Sequence, residues 1–142
     1  MTATVPVETG LFDEDAAGVP HLLGSHCSMC ERYTFPRATD CPYCTSTTTE
    51  PVDLSDHGTL WAWTAVTAAP PGYEGSVPFG FGIVELVPER LRIITRLEVA
   101  DPAALTFAMP MQLVIVPLTE NDDGATVVTW SFAPVPESKD LA

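Results

Sequence analysis

The chain has 142 residues, enough for one ordinary domain with a small appendage, and a chain of this length buries roughly two-thirds of its unfolded surface. Its formal net charge is −13, with only six lysines and arginines, which disfavours nucleic-acid and anionic-membrane partners because both bind through positive charge. No stretch reaches the roughly 18 consecutive apolar residues of a membrane span. Fourteen prolines and many threonines and valines favour turns and strands over helices.

The N-terminal residues 1–20 are acidic and lightly apolar. The apolar side chains of Leu11–Ala17 predict a short helix of one or two turns, which Gly18 and Pro20 would end. This segment is interpreted either as a frayed tail or as a docking segment that folds against the core or a partner. Met1–Gly10 has no basic region followed by an apolar run, so no signal peptide is predicted and a cytoplasmic location is expected.

The cysteines of the chain form two Cys-x-x-Cys pairs and comprise Cys27, Cys30, Cys41 and Cys44. A tight turn of this type can place two sulfurs about 3.8 Å apart, as tetrahedral zinc with Zn–S near 2.3 Å requires. Two such turns supply four ligands and leave no open coordination position, which indicates a structural zinc site rather than a catalytic one. Residues 21–50 are therefore predicted to form a zinc ribbon, with Tyr33 and Phe35 on its apolar side.

Other states of the cysteines remain open at this point. Disulfides suit secreted chains, and iron–sulfur clusters usually show a different ligand spacing. A Cys-x-x-Cys redox pair is expected near a β-α-β pattern, which the sequence does not show. A single iron held by four cysteines uses similar turns, so the sequence does not separate zinc from iron.

Residues 51–136 show period-two strands separated by turns. Five strands are predicted, over residues 58–67, 79–87, 91–99, 111–118 and 125–132. A short helical turn with Asp101 as its N-cap lies between the third and fourth strands, and an Asp-Gly turn ending at Gly124 joins the last two. This order matches a five-stranded OB-fold barrel, and residues 137–142 are predicted to be a tail.

Two details of the barrel strands are predicted from period and composition. Trp61 and Trp63 are expected to share one face of the first strand, because alternate residues of a strand point the same way. The glycines at positions 80 and 82 are expected to permit a bend or bulge in the second strand.

Catalytic candidates are scarce. The histidines His21, His26 and His57 fit solvated loops, and the sequence has no nucleophile elbow, His-Glu-x-x-His motif or glycine-rich phosphate loop. Every cysteine is assigned to the metal, so no thiol nucleophile is left. The sequence therefore predicts a protein that is not itself an enzyme.

A cluster of positive charge occurs in the third predicted strand, where Arg90, Arg92 and Arg96 would share one face if the strand is regular. Arginine forks suit phosphate and carboxylate groups, so one interpretation is an anion site, for example for a nucleotide phosphate, or a partner surface. The other interpretation is a solvated face paired with nearby glutamates. Arg37 in the ribbon and Tyr73 in the loop before the second strand are further candidates for ligand or partner contact.

A series of short motifs in fixed order resembles a known family, the zinc-ribbon plus OB-fold acyl-CoA-associated proteins, also called domain of unknown function thirty-five. The motifs are Cys27-x-x-Cys30, Phe35-Pro36-Arg37, Cys41-Pro42-x-Cys44, Gly58-Thr59-Leu60, Pro70–Glu74, Ile83–Leu86 and Ala108–Met111. The resemblance spans about residues 10–135. Two positions depart from the family, which has glycine where this chain has Glu31 and Ala108, and backbone strain is predicted if Glu31 has a positive φ.

The resemblance implies a mainly β protein with a rubredoxin-like zinc ribbon before the barrel. It also implies a non-catalytic accessory subunit of a thiolase-like enzyme acting on acyl-CoA thioesters, such as a thiolase, an acyltransferase or a steroid side-chain retro-aldolase. The barrel would shape the substrate channel or bridge subunits. A thiolase-fold subunit is the implied partner, a hotdog-fold hydratase is a further one, and a coenzyme A thioester is a shared ligand in some members.

Two other functions are carried as alternatives. A single-stranded nucleic-acid binder is one, because OB-folds often have this function and zinc ribbons occur in transcription factors, although the charge of −13 opposes it. A rubredoxin-like electron carrier would follow if the metal were iron. The mean hydropathy of +0.17 is high for so acidic a chain, which predicts apolar surface at a protein interface.

Overall fold

The computed structural model describes residues 4–73 and 75–135, so the predicted tail at 137–142 lies outside the described residues. These described residues form ten strands and one 3₁₀ turn, in chain order β1 (Thr4–Pro6), β2 (Phe12–Glu14), β3 (Pro20–Cys27), β4 (Tyr33–Thr34), β5 (Thr49–Asp53), β6 (His57–Val66), β7 (Phe79–Leu86), β8 (Leu91–Leu97), the 3₁₀ turn (Pro102–Ala104), β9 (Pro110–Glu120) and β10 (Thr126–Pro134). Within the described ranges, no helix is long and apolar enough to cross a membrane.

Strands β6–β10 close into a five-stranded barrel. β6, β7 and β8 form an antiparallel meander, and β9 pairs antiparallel with both β6 and β10. The ring is completed by β8 and β10, which run parallel and pair at Leu97 and Phe132. The ring order β6-β7-β8-β10-β9 confirms the predicted OB-fold barrel.

The local turn chemistry of the barrel also agrees with the sequence. The Asp101 carboxylate accepts a hydrogen bond from the Ala103 amide at 3.0 Å and caps the 3₁₀ turn. Gly124 adopts a φ of 81°, and its amide donates to the Asn121 carbonyl at 3.0 Å to close the β9–β10 hairpin. Both features depend on a few adjacent residues, which explains why they are predictable.

The prediction that Trp61 and Trp63 share a face is wrong, because β6 contains a bulge. Its register against β7 shifts by one residue between Leu60 and Ala62. An extra residue in one strand reverses the alternation of the side chains that follow it. Trp61 is consequently 39% exposed, whereas Trp63 packs against the core.

The glycines of β7 serve the close approach of neighbouring strands. A Cβ atom at Gly82 would collide with the Ala62 backbone, and one at Gly80 would collide with the backbone of Val99. The bulge lies in β6, between Leu60 and Ala62, which face Val84 and Ile83, rather than in β7 at these glycines.

The predicted short N-terminal helix is absent, because this segment forms strand β2 instead. Phe12–Glu14 pair antiparallel with β3, from Phe12 opposite Leu22 to Glu14 opposite Pro20. The Phe12 ring also packs near Trp130, with 6.3 Å between ring centroids. A helix of one or two turns is marginal by itself, so strand pairing and burial of one aromatic ring decide the outcome.

Residues 4–20 therefore pack against the remainder of the described chain. β1 adds to the barrel by pairing parallel with Thr126–Val128 of β10. β3 pairs with β2, β4 and β5, and this small sheet carries the ribbon. The buried side chains of Leu22 and Leu54 belong to the same apolar cluster as Leu60 and Phe132, so ribbon and barrel share one continuous core.

Candidate functional site

The two Cys-x-x-Cys turns have matching backbone geometry. The Glu31 amide donates to the Cys27 carbonyl at 2.8 Å, and the Thr45 amide donates to the Cys41 carbonyl at 2.9 Å. Glu31 and Thr45 each have a φ of 63°, in the left-handed region. Glu31 thus has the positive φ for which strain was predicted, and Thr45 occupies the equivalent place in the second turn.

The four cysteine sulfurs form a compact cluster. All four lie within 4.8 Å of one another, and the Cys27–Cys44 and Cys30–Cys41 sulfur pairs are each 3.6 Å apart. These separations agree with the roughly 3.8 Å expected around tetrahedral zinc. The protein supplies all four ligands, so the geometry fits one structural metal ion with no position left for a substrate.

Backbone amides of the first turn favour the thiolate form of Cys27. The hydrogen bond from the Cys30 amide is the largest effect and, with the Met29 amide and Thr48, lowers the pKa of the Cys27 thiol to about 6, although desolvation opposes the change. Metal binding requires deprotonated sulfur. The backbone of this turn therefore favours the metal-binding form of Cys27.

Two of the predicted contact residues lie within or beside the ribbon. Arg37 donates from Nε to the Gly24 carbonyl at 3.2 Å, and its Nη2 lies 3.8 Å from Asp53 Oδ1. Arg90 precedes β8 in a turn, with a φ of 54°. It lines a cavity of about 450 Å³ together with Cys30, and so does not share a strand face with the other two arginines.

The other predicted contact residues meet on the outer side of β7 and β8. The Arg92 guanidinium lies 4.0 Å from the Trp61 ring centroid, and Arg96 lies 5.1 Å from that of Phe79. Arg96 Nη1 also donates to the Tyr73 hydroxyl at 2.9 Å. The structure thus brings Tyr73 and Arg96 together, although they are distant in sequence.

Exposed apolar side chains that the sequence reasoning missed surround these arginines. Ile94 is 65% exposed and Phe81 is 39% exposed. We call the set Trp61, Phe81, Arg92, Ile94 and Arg96 the arginine–aromatic face. The alternation of β8 was sufficient to predict that Ile94 is exposed, because it lies between Arg92 and Arg96 on the same face. The exposure of Trp61 was not predictable in this way, because it depends on the bulge. Such a face suits binding rather than catalysis.

The histidines differ from the predicted solvated loops, because His21 and His26 lie in β3 and His57 is the first residue of β6. The imidazole of His21 bridges Leu54 and Asp15, with 2.8 Å from Nδ1 to the Leu54 carbonyl and 3.1 Å from Nε2 to the Asp15 carboxylate. The Leu54 carbonyl is the largest effect and, with Asp15, raises the pKa of His21 despite partial desolvation. His21 therefore fastens the N-terminal segment to the connection between ribbon and barrel.

Comparison with known proteins matches both halves of the chain. Residues 15–50 match the family model of the ChsH2 rubredoxin-like zinc ribbon domain, and residues 51–116 match that of the ChsH2 C-terminal OB-fold domain. Taken with the four clustered sulfurs, the zinc-ribbon match identifies the metal centre as structural zinc.

Relatives of the chain extend over most of its length. The benzoylsuccinyl-CoA thiolase subunit BbsA of Thauera aromatica is 31% identical over 123 residues, covering 86% of this chain and 83% of the relative. A DUF35 domain-containing scaffold protein of Methanocaldococcus jannaschii is 29% identical over 116 residues, covering 80% and 82%. Among solved structures, a chain of the Ltp2-ChsH2(DUF35) aldolase has a TM-score of 0.59 at 24% identity, covering 80% of this chain and 84% of that one. The last similarity supports the fold.

Proposed function

Because the chain belongs to the DUF35 family, in which a ChsH2-type zinc ribbon precedes an OB-fold domain, we propose that it is an accessory subunit of a thiolase-like enzyme. The observation that carries the proposal is the similarity, over most of both chains, to a protein named as a subunit of benzoylsuccinyl-CoA thiolase. The catalytic partner would have a thiolase fold and act on an acyl-CoA thioester. A retro-aldolase acting on steroid side chains is one specific form of this proposal.

The chemistry of the described residues supports a non-catalytic role. Zinc uses all four cysteines. His21 is held by Leu54 and Asp15, and His57 pairs with its neighbour Asp56 at 2.9 Å. Within residues 4–73 and 75–135, the hydrogen bonds join no serine, threonine or cysteine side chain to a histidine, as an activated nucleophile would require.

The arginine–aromatic face is our proposed contact surface for the catalytic subunit. Tryptophan and arginine are enriched among the residues that contribute most to binding at protein interfaces. Here Arg92 stacks on a tryptophan that the bulge in β6 exposes, and Ile94 adds apolar surface beside it. Tyr73 borders this surface through its bond to Arg96, whereas the bonds of Arg37 hold ribbon strands together.

Further parts of the proposal concern ligand, location and additional partners. A coenzyme A thioester would be a ligand shared with the catalytic subunit, and a hotdog-fold hydratase would be an additional protein partner. A cytoplasmic location suits a site built from reduced cysteines. The barrel would then contribute shape to the substrate channel, without supplying reacting groups.

Native co-purification tests the proposed function. The chain is isolated from its source cells under mild conditions, and proteins that accompany it are identified by mass spectrometry. A thiolase-fold subunit in stoichiometric amount is the expected result. Its absence, or turnover of an acyl-CoA by the isolated chain, would contradict the proposal.

A matched pair of variants tests the contact surface. Ile94 and Phe107 are both 65% exposed, but only Ile94 belongs to the arginine–aromatic face. Ile94→Asp is expected to lose the thiolase-fold subunit, because it places a desolvated charge in the interface, and Phe107→Asp is expected to retain it. Equal retention by both variants would reject this face while leaving the accessory function intact.

A further inference from the structure

Strand β8 has one fully paired edge and one edge that is almost unpaired. Its pairing with β7 runs from Leu91 to Leu97. Its pairing with β10, on the other side, is limited to Leu97 opposite Phe132. A cavity of about 370 Å³ is lined by residues of both strands, among them Ile94 of β8 and Trp130 of β10. We call Leu91–Thr95, on the side away from β7, the open edge.

Alternate residues of β8 direct their backbone groups toward the open edge. The Arg96 carbonyl accepts a hydrogen bond from a serine hydroxyl of β10 at 3.0 Å, so the backbone of Arg96 faces away from β7. Leu97, the next residue, directs its carbonyl toward Gly80 of β7. The N–H and C=O of a strand residue point to the same side, and this side alternates along the chain. The backbone groups of Arg92 and Ile94 therefore face the open edge, like those of Arg96.

Arg92 and Ile94 have no backbone partner on this side. Among residues 4–73 and 75–135, no hydrogen bond to their amides or carbonyls crosses the open edge. Ile94 is also 65% exposed, so another chain can approach it from solvent. A strand edge with unpaired donors and acceptors is a template on which a further strand can pair.

The other edge strands of the described structure are protected against such pairing. β1 and β5 contain Pro6 and Pro51, which have no amide hydrogen to donate. β2 and β4 have only three and two residues. β8 has seven residues, contains neither proline nor lysine, and is β-branched from Ile93 to Thr95. Proline, lysine and short length are the usual protections of an edge, so β8 is the edge strand best suited to receive another strand.

The side chains beside the open edge favour an acidic and apolar partner strand. The Arg92 guanidinium lies 4.0 Å from the Trp61 ring centroid and forms no ion pair with any carboxylate in the described ranges. Ile94 presents an apolar side chain on the same face. Side chains directly opposite each other on neighbouring strands interact, and opposite charges there are favourable. An added strand should therefore place a carboxylate opposite Arg92 and an apolar side chain opposite Ile94.

A second copy of this chain fits the open edge poorly. Two copies of β8 paired antiparallel about Ile94 would place Arg92 of each copy opposite Arg96 of the other. A parallel pair in register would place Arg92 opposite Arg92. Like charges directly opposite each other destabilise a strand pair. A different protein with an acidic segment is therefore the better occupant.

We propose that the open edge binds an extended segment of a partner protein as an additional β-strand. The segment carries an acidic residue two positions from an apolar residue, so that both side chains project from one face, opposite Arg92 and Ile94. Its backbone pairs with the amides and carbonyls of these two residues, which supplies affinity, and its side chains supply specificity. The identification of the partner as the catalytic subunit rests on the proposed function, because Arg92 and Ile94 belong to the arginine–aromatic face.

NMR of the full-length, zinc-loaded chain tests the pairing. The probe is a seven-residue peptide with blocked ends, Thr-Glu-Thr-Val-Thr-Glu-Thr, whose symmetric pattern fits either strand direction. Saturable movement of the Arg92 and Ile94 amide signals is expected, with slower hydrogen exchange at both amides. The amides of Ile93 and Thr95 face β7 and should keep their exchange rates. A matched peptide with lysine in place of glutamate should bind about tenfold more weakly, because it places positive charge opposite Arg92.

Two substitutions of Ile94 separate the contribution of the backbone from that of the side chain. Ile94→Ala shortens the apolar side chain and keeps the amide. Ile94→Pro also removes the amide hydrogen that faces the open edge, while the hydrogen bonds to β7 come from the neighbouring residues. We expect Ile94→Pro to bind the glutamate peptide about tenfold more weakly than Ile94→Ala, because it loses a backbone hydrogen bond.

Each of three results overturns the inference: no movement of the Arg92 and Ile94 amide signals at millimolar peptide, equal binding of the two peptides, or equal binding by Ile94→Pro and Ile94→Ala. A dimer of the chain alone in sedimentation, dissociated by Ile94→Pro, would also overturn it, because the occupant would then be a second copy. If Ile94→Pro does not fold, the two peptides and the amide signals of the unmodified chain still decide.

These measurements are independent of the test of the proposed function. They use the chain alone, so failure of the peptide to bind is distinct from failure to recover a thiolase-fold subunit. Binding of the glutamate peptide without recovery of such a subunit would support strand addition at the open edge and reject the catalytic subunit as its source.

Discussion

The ribbon and the barrel are each stabilised by a different physical means. Within residues 21–50, the only buried apolar side chains of the described structure are Leu22, Cys27 and Cys41, and two of these are metal ligands. The barrel instead buries a cluster of aliphatic and aromatic side chains around Phe132. A short segment with few side chains to bury depends on its metal, whereas a closed barrel supplies its own core.

The two regions nevertheless meet in one core. Leu22 of β3 and Leu54 after β5 are both fully buried and pack in the same cluster as the barrel residues. The Glu89 carboxylate accepts hydrogen bonds from the amide and the hydroxyl of Ser55, each at 2.8 Å. These bonds join the β7–β8 turn to the connection between ribbon and barrel. The ribbon and the barrel should therefore have separable stabilities that are coupled at this junction.

Metal removal should have the largest effect and should separate the two regions. Structural zinc contributes roughly 10–16 kcal/mol of apparent binding free energy at pH 7, so full chelation is expected to unfold β4, the two cysteine turns and β5. The barrel amides should keep their protection, because their core contains no metal ligand. Hydrogen exchange measured by mass spectrometry after chelation checks both expectations.

Cys41→Ser should reproduce the effect of chelation, because it removes a metal ligand. Ser28→Ala is the control in the same region. It should not reproduce the effect, because the Ser28 hydroxyl bonds only the Thr48 carbonyl. Loss of protection in barrel and ribbon together would show that the regions are not separable. In the proposed complex, metal removal should also release the catalytic subunit.

Two glycine substitutions, one in each region, should have a smaller, stabilising effect. Glu31 and Ala108 have φ values of 63° and 67°, where a non-glycine residue costs roughly 1–2 kcal/mol. Part of this gain is offset by the backbone entropy of glycine, so about 0.5–1 kcal/mol of stabilisation is expected for each. Ala108→Gly should raise the thermal midpoint of the barrel, and Glu31→Gly should make the ribbon more resistant to chelator.

Ala62→Gly is the control for this pair, because Ala62 lies in strand β6, where glycine weakens the strand. We expect it to lower the thermal midpoint. A decrease for Ala108→Gly as well would mean that its left-handed backbone carries no relievable strain.

The smallest expected effect concerns pH and the N-terminal attachment. The pKa of His21 is raised from 6.5, first by the Leu54 carbonyl and then by Asp15, so its contribution is complete below pH 6.5 and is lost as pH rises through the raised value. The pKa of Asp15 is lowered from 3.8, first by the Val19 amide, so its contribution is present above 3.8 and is lost as pH falls through the lowered value. The attachment should be firmest between these limits.

NMR titration of the His21 ring measures this effect, with Asp15→Asn as the test variant and Asp13→Asn as the control. Asp15→Asn should move the pKa of His21 downward, because it removes the facing charge, and Asp13→Asn should leave it in place. An unchanged pKa of His21 in both variants would show that Asp15 does not contribute to it.

Family resemblance and local sequence pattern are sufficient to predict much of the candidate site. The spacing of the cysteines predicted the sulfur cluster, and the departures from glycine at Glu31 and Ala108 pointed to backbone positions that do have positive φ. The proposed contact residues were predicted less completely. Arg92 and Arg96 do lie on one strand, but Arg90 lies in the preceding turn, because the strand begins only at Leu91.

The metal ligands, the barrel strands in their order along the chain, the Asp101 cap and the turn at Gly124 follow from the amino-acid sequence, because each depends on residues close together in the chain. The strand at Phe12–Glu14, the exposure of Trp61 and the contact of Tyr73 with Arg96 emerge only in the folded structure. These features depend on pairing and packing between segments distant in the chain. Such contacts override weak local preferences, and no short sequence window contains them.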